Sequence, residues 1–372
     1  MHSYLKVLAL AALAVGLYSC AQEQTISDRV VEDGIIGAYV EQNPIWKNKT
    51  ESGLYLNVLK EGTGATPTVT DWVMVKFTGK TLDGDYFHST DTTVFNHLDY
   101  NVNYYHIVPD FLYMAGSMPQ GFREALLTMK EGGKVDLLIP SYLGFGSYGA
   151  VKFGQMPILP NAYVQANHPV KYQLELVKVI SKPREYDSLL VDSYVKNNPG
   201  FVDIKDKAVY LKELEKGSTA ISDTIGNGTK VYVHYAGYFL DGYCFDTNIK
   251  TISDTFAPYA PYSGSSSSSS TSTSTTTSGD TLVVTMAASS SGVVTGFDKA
   301  LRKMTKGSKA EVVFTSTNGY GLSGSSSSTS KPSIGAYTPL KFYIVVDRVE
   351  NPTSSTTTAS SIVVPKYLLR KN

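Results

Sequence analysis

Side chains able to make or break bonds are few in this chain and poorly spaced for it. The six histidines show no H-E-x-x-H or other ligand spacing, and two cysteines, Cys20 and Cys244, are too few for a cysteine-rich zinc site, so no metal is expected. Two G-x-G-x-x-G strings, Gly144 to Gly149 and Gly319 to Gly324, would need a helix starting at the glycines to cradle a phosphate. They run instead into Pro157 and Pro160, or into a serine tract, so no dinucleotide or other cofactor is expected. Lys+Arg and Asp+Glu balance at 33 each, with no basic stripe, which excludes nucleic acid as a partner. What remains is a set of aromatic and glycine-bearing motifs, and each occurs twice.

The repetition organises the chain. Ala38-Tyr39-Val40-Glu41-Gln42-Asn43-Pro44 matches Ser193-Tyr194-Val195-Lys196-Asn197-Asn198-Pro199 at an offset of 155 residues. The offset becomes 158 for Val75-Lys76-Phe77-Thr78-Gly79 against Val233-His234-Tyr235-Ala236-Gly237, and 175 for Gly121 to Met129 against Gly296 to Met304. Residues Ser263 to Gly279, almost pure Ser and Thr, account for the last jump and read as a disordered insertion, because such a tract cannot bury enough apolar surface to offset its ordering entropy. A second serine-rich insertion spans Ser323 to Ser330.

In both copies apolar residues fall at helical spacing: Phe122, Ala125, Leu126, Met129 and Phe297, Ala300, Leu301, Met304. Each copy therefore holds one short amphipathic helix. Strands are expected at Leu54 to Leu59, Val73 to Gly79, Val135 to Ile139 and Val170 to Val179, then at Val209 to Leu214, Val231 to Gly237, Leu282 to Ala287, Ala310 to Thr315 and Leu340 to Val349. Leading helices are expected over Ile35 to Gln42 and Tyr186 to Lys196, the second after a linker around Ser181 to Arg184. Several strands with one helix make an α+β unit.

At the N-terminus Lys6 precedes an apolar run from Val7 to Leu17, too short for a permanent span, which reads as a signal peptide. Leu17-Tyr18-Ser19-Cys20 resembles a bacterial lipobox, which implies cleavage before Cys20 and its acylation. Acyl chains at about 0.8 kcal/mol per buried CH₂ would give lasting membrane attachment. The expected organisation is a signal peptide over 1–19, a tether over 20–30, domains over 31–181 and 182–351 and a tail over 352–372, anchored in the cell envelope, at the outer membrane facing the periplasm. With Cys20 acylated, Cys244 has no disulfide partner within the chain; it reads as a packed or half-exposed strand thiol rather than a nucleophile.

The motifs VKFTGKTLDGDYF, QGFREALLTMKEGGK and IPSYLGFGSYG, followed by VHYAGYFLDGYCF, TGFDKALRKMTKGSK and TNGYG, resemble in type and order the FKBP family of prolyl isomerases, twice over. The resemblance implies two domains, each a twisted antiparallel β-sheet wrapped around a short α-helix with an aromatic pocket between them. In the second domain it implies a pocket of Tyr235, Phe245, Asp246, Val293, Val294, Phe297, Tyr320 and Phe342, with Ile334 as a wall residue. Phe297 stands where many members carry Trp. In the first domain Phe77, Phe87, Met118, Phe122, Phe145 and Tyr172 would keep an apolar cup, with Ile158 as a wall. There His88 replaces the family's Asp, Phe145 lacks the tyrosine hydroxyl, and Pro119 falls where a backbone N–H holds the ligand. The resemblance thus implies isomerase activity mainly in the second domain, with a weak or inactive first.

The implied reaction makes and cuts no bond. Rotation about an X–Pro link takes tens to hundreds of seconds because it breaks amide resonance, against about 18–20 kcal/mol. Water stabilises the polar planar form more than the twisted one, so an aromatic cup shaped for the rotated imide lowers the barrier. By resemblance, Phe245, Phe297 and Phe342 would hold the prolyl ring, the Val294 N–H and Tyr320 hydroxyl would meet substrate carbonyls, and Asp246 would orient the imide. Proline-containing unfolded or exported polypeptides are the implied partners. The alternative is a non-catalytic module or chaperone-like lipoprotein that uses the same fold to hold peptide.

Overall fold

Alternation of apolar and polar residues decides which face of each strand is buried. In the computed structural model, which describes residues 28–100, 105–149, 159, 162–204, 208–256, 275–278, 281–325 and 332–352, Trp72–Lys80 (β2) buries Val73, Val75, Phe77 and Gly79 on one face. The matching strand Lys230–Tyr238 (β9) buries Val231, Val233 and Tyr235 in the same way. Cys20, the expected signal peptide, Ile158, residues 263–274 and 326–330 of the two insertions and the tail from 353 lie outside the described residues.

The chain divides into two compact units, Met1–Leu98 with Ile107–Ser181, and Asp99–His106 with Lys182–Asn372. In the first unit α1 (Asp28–Gln42) is followed by β1 (Tyr55–Lys60), β2, β3 (Tyr86–Ser89), α2 (Thr92–His97), β4 (Asp110–Tyr113), α3 (Gln120–Thr128), β5 (Lys134–Ile139) and β6 (Val170–Ile180). The sheet order is β1-β5-β6-β2-β3, all pairs antiparallel, with β4 alongside the first half of β2.

The second unit repeats this plan with α4 (Pro183–Asn197), β7 (Val202–Asp203), β8 (Val209–Glu215), β9, β10 (Cys244–Thr247), α5 (Lys250–Phe256), β11 (Thr275–Ser278), β12 (Thr281–Thr285), α6 (Thr295–Leu301), β13 (Lys309–Phe314) and β14 (Leu340–Glu350). Its order is β11-β12-β9-β14-β13-β8-β7, with β10 also on β9. Strands β1, β5, β6, β2 and β3 thus correspond to β8, β13, β14, β9 and β10, and both units are α+β, an antiparallel sheet around a short helix.

Helix α3 buries Gly121, Phe122, Ala125 and Leu126, and α6 buries Gly296, Phe297, Ala300 and Leu301. Met129 and Met304, just past the helix ends, complete the buried stripe that the spacing predicts. The leading helices extend beyond the sequence reading. Helix α1 already includes Asp28, inside the expected tether, and buries Glu32 and Ile36 one turn apart. Helix α4 begins at Pro183, since proline is tolerated where no intrahelical N–H bond is needed. Short strands β3, β4 and β10 have too few residues to show periodicity. Strand β11 lies within the tract read as a disordered insertion; its β-branched threonines suit extended backbone, and it pairs antiparallel with β12.

Candidate functional site

The Leu-x-Asp-Gly motif makes the turn that sets each cup. Gly84 at φ +104 and Gly242 at φ +96 occupy the left-handed region that only glycine enters freely. Thr81 N–H donates to the Asp85 carbonyl at 2.9 Å, and Phe239 N–H to the Tyr243 carbonyl at 3.0 Å, closing the hairpins that lead into β3 and β10. Those hairpins bring Phe87-His88 and Phe245-Asp246 back against the central strand. There Gly79 is paired with His88 on one side and Tyr172 on the other, and Gly237 with Asp246 and Phe342. A Cβ on Gly237 would stand 2.6 Å from Phe245 Cζ and 2.8 Å from Phe342 Cε1, so the glycine of the Tyr/Phe-x-Gly motif is there to let the rings approach the backbone.

In the second unit the predicted aromatics converge. Phe297 meets Phe342 edge-on at 5.2 Å between ring centroids, Phe245 meets Phe342 at 5.7 Å, and Tyr235 meets Phe297 at 6.1 Å. Such perpendicular pairs are the favoured aromatic geometry. Ile334 belongs to the same buried cluster, with Val293 and Val294 packed against it. Asp246 is half-buried, and its Oδ2 accepts from the Tyr235 hydroxyl at 3.0 Å. Tyr320 is 37% exposed. Burial first, and then the Asp246 charge, push its phenol above the usual range, so it stays a hydrogen-bond donor at neutral pH. Val294 is the N-cap of α6; its carbonyl accepts from the Phe297 and Asp298 amides, and no acceptor among the described residues takes its own N–H.

The first unit builds the same frame, with His88 fully buried where the second unit has half-buried Asp246. Phe77, Phe87, His88, Phe122 and Tyr172 are each at most 2% exposed, and Leu159 N–H donates to the Phe87 carbonyl at 2.8 Å. Phe122 packs edge-on against Tyr172 at 5.3 Å, and the Phe77 and His88 rings lie 4.5 Å apart. His88, expected to face a ligand, is buried, with Nδ1 3.4 Å from the Tyr172 hydroxyl. Burial drives the Tyr172 phenol well above its usual range. Phe145 is half-buried and packs on Phe87 at 5.9 Å, and Met118 is half-buried. Pro119 is the N-cap of α3, with φ −54 and ψ 137 against −61 and 145 at Val294, so the two residues occupy one backbone position and only the proline lacks an N–H. A hollow of about 380 Å³ on this unit is lined by Tyr39, Trp46, Tyr86 and Lys171, sharing only Tyr172 with the cup residues.

Sequence reasoning missed the residues that hold the cups from behind. Asn248 Oδ1 accepts from Tyr235 N–H at 2.7 Å while its Nδ2 donates to the Val233 carbonyl at 2.9 Å; in the first unit Thr90 Oγ accepts from Phe77 N–H at 2.8 Å. Both stand two positions after His88 or Asp246, so the repeat alignment could have found them. Phe239, which packs on Phe245 at 5.1 Å, was also missed, since it lies in the turn. Cys244 is fully buried beside Ala236, on the opposite side of its strand from Phe245, and burial pushes its thiol up to about 12.

An antiparallel sheet closed over a short helix, with an aromatic cup between them, defines a class of small α+β domain that occurs here twice. Comparison with known proteins specifies the class: residues 64–177 and 259–347 match the family of FKBP-type peptidyl-prolyl cis-trans isomerases, and the chain belongs to that family. It is 38% identical over 114 residues to the FKBP-type 22 kDa peptidyl-prolyl cis-trans isomerase of Escherichia coli K12, covering 30% of this chain and 48% of the relative. It is 33% identical over 134 residues to FkpA of Aeromonas hydrophila, covering 36% and 40%. The chain thus spans less than half the length of either relative. The crystal structure of FkpA from Escherichia coli aligns at 23% identity over 47% of this chain and 72% of that one, with a TM-score of 0.31.

Proposed function

We propose that this chain is a peptidyl-prolyl cis/trans isomerase whose activity resides in the second unit. The observation that carries this reading is the bond of the Tyr235 hydroxyl to half-buried Asp246 at 3.0 Å beside the perpendicular rings of Phe245, Phe297 and Phe342, with Tyr320 37% exposed. A prolyl ring entering there loses water, and the twisted imide, less in need of water than the planar one, gains relative to it. Asp246 orients the rotated carbonyl, while the Val294 N–H and the Tyr320 hydroxyl take the flanking substrate carbonyls. No proton changes hands.

The first unit is read as weak or inactive. Pro119 offers no donor, Phe145 no hydroxyl, and His88 is buried against Tyr172. The substrates are read as proline-containing segments of exported, unfolded polypeptides, met at the outer membrane by a chain anchored through lipid on Cys20 and facing the periplasm. That location is supported by the lipobox-like Leu17-Tyr18-Ser19-Cys20.

Prolyl-peptide isomerisation by the full chain tests the catalytic reading. Asp246→Ala and Tyr320→Phe are each expected to lower kcat/KM by about tenfold, the loss of one good hydrogen bond at the transition state. Unchanged rates in both variants would remove the assignment. Binding of unfolded polypeptide without any isomerisation by the parent chain would identify the non-catalytic, peptide-holding alternative instead.

A further inference from the structure

A buried acid on the leading helix of each unit is bonded to the turn that carries the rim aromatic. In the first unit Glu32 of α1 is 2% exposed and both its oxygens serve one residue: Oε1 accepts from the Ser141 N–H, and Oε2 from the Ser141 hydroxyl at 2.7 Å. In the second unit Asp187 of α4, 1% exposed, does the same with one oxygen, Oδ2 accepting from the Ser316 N–H at 2.8 Å and the Ser316 hydroxyl at 2.6 Å. The acids share the repeat offset of 155 and the serines that of 175. Each acid precedes a buried aliphatic, Ile36 or Val191, by one helical turn.

Each serine opens a short 3₁₀ turn, Ser141–Leu143 or Ser316–Asn318, that has no side-chain cap of its own. The acid from the distant helix supplies that cap. The Ser316 carbonyl accepts from the N–H groups of both Gly319 and Gly321 at 2.8 Å, the two residues that bracket Tyr320. Gly321, at φ +60, then accepts from Tyr337 N–H at 2.9 Å. The first unit repeats this in part, with Gly144 N–H donating to the Ser141 carbonyl at 2.9 Å and Gly146, at φ +57, accepting from Asn167 N–H at 2.8 Å. The backbone of the rim aromatic is thus suspended from one serine, and the acid fixes that serine.

Apolar packing at these positions would avoid the desolvation of a buried carboxylate, and Asp187 Oδ1 has no partner among the described residues. An acid present at the same place in both repeats, despite that expense, gives the turn a direction that packing alone does not. Neither acid lies within the residues matched to the family.

We propose that Asp187 is a positioning residue for the second cup, acting on Tyr320 through Ser316, and that Glu32 holds the Phe145 turn in the same way. The catalytic consequence rests on the reading of Tyr320 as substrate-facing. In the full chain Asp187→Ala is expected to lower kcat/KM about tenfold, as expected for loss of a charge-assisted hydrogen bond, and to add nothing in a Tyr320→Ala background. Asp187→Asn, which keeps an acceptor, recovers part of the rate. Should Asp187→Ala not fold, Ser316→Ala removes the hydroxyl bond alone and follows the same pattern with a smaller loss. Amide hydrogen exchange gives a readout independent of turnover: Gly319 and Gly321 exchange faster in Asp187→Ala while β13 and β14 stay protected. Equal losses in both backgrounds, or unaltered exchange at the two glycines, overturn the proposal. A parent chain without isomerase activity sinks the catalytic reading alone, and the exchange result then decides the positioning role.

Discussion

Asp246 and His88 stand at the same place on matched strands, yet their hydroxyl partners come from opposite sides. In the second unit the hydroxyl is on the central strand, at Tyr235, and the neighbouring β14 presents the bare ring of Phe342. In the first unit the central strand presents bare Phe77, and the hydroxyl comes from Tyr172 on β6. Each cup therefore keeps one polar pair, and the first pair is the more deeply buried. Two predictions belong to this scale. Burial pushes the Asp187 carboxyl from the ordinary 3.8 to about 6, against the two Ser316 hydrogen bonds that lower it. The folded state thus binds this proton more tightly than the unfolded chain, and the associated stability is present below about pH 4 and lost as pH rises through about 6. Urea melts should find the parent chain losing about 1–2 kcal/mol relative to Asp187→Asn between about pH 4 and about pH 7, after allowance for partial solvent screening. Cys244, its thiol pushed up to about 12, should resist alkylation in the native protein at mildly alkaline pH and react at once in denaturant, as read by mass mapping of the modified residue.

At the scale of elements, the central strand of each unit is the part that the rest is arranged around. It carries one glycine between two cross-strand neighbours, and the absence of a side chain there admits two aromatic rings. Gly237→Ala would drive a methyl group into Phe245 and Phe342. The expected outcome is a destabilisation of about 1–3 kcal/mol in chemical denaturation, the usual range for overpacking, with loss of isomerisation in the fraction that remains folded. The hairpin and the helix have separate roles. The Asp-Gly turn delivers Phe245 and Asp246, α6 delivers Phe297 and the Val294 cap, and the turn after β13 delivers Tyr320. These three short segments meet at the central strand, and none of them alone makes a pocket.

At the scale of the whole molecule, each unit has its own sheet and its own buried helix, so residues 28–181 and 182–352, expressed separately, should each unfold in one cooperative transition. The isomerisation assay should find activity in the second fragment and little in the first. A first fragment as active as the second would show that the first cup admits substrate and that the Pro119 argument is wrong.

The sequence alone determined the duplication, most of the longer strands, and the stripe of Phe297, Ala300, Leu301 and Met304. These are legible because periodicity along one element reports which side of that element is buried. Only the tertiary structure decided that His88 is fully buried, that Asp187 reaches Ser316 across 129 residues of chain, and that threonines in a low-complexity tract join the sheet. Those outcomes depend on how far apart two elements lie once the sheet has formed. No residue type or local spacing encodes that distance; it follows from the summed packing of side chains brought together by folding.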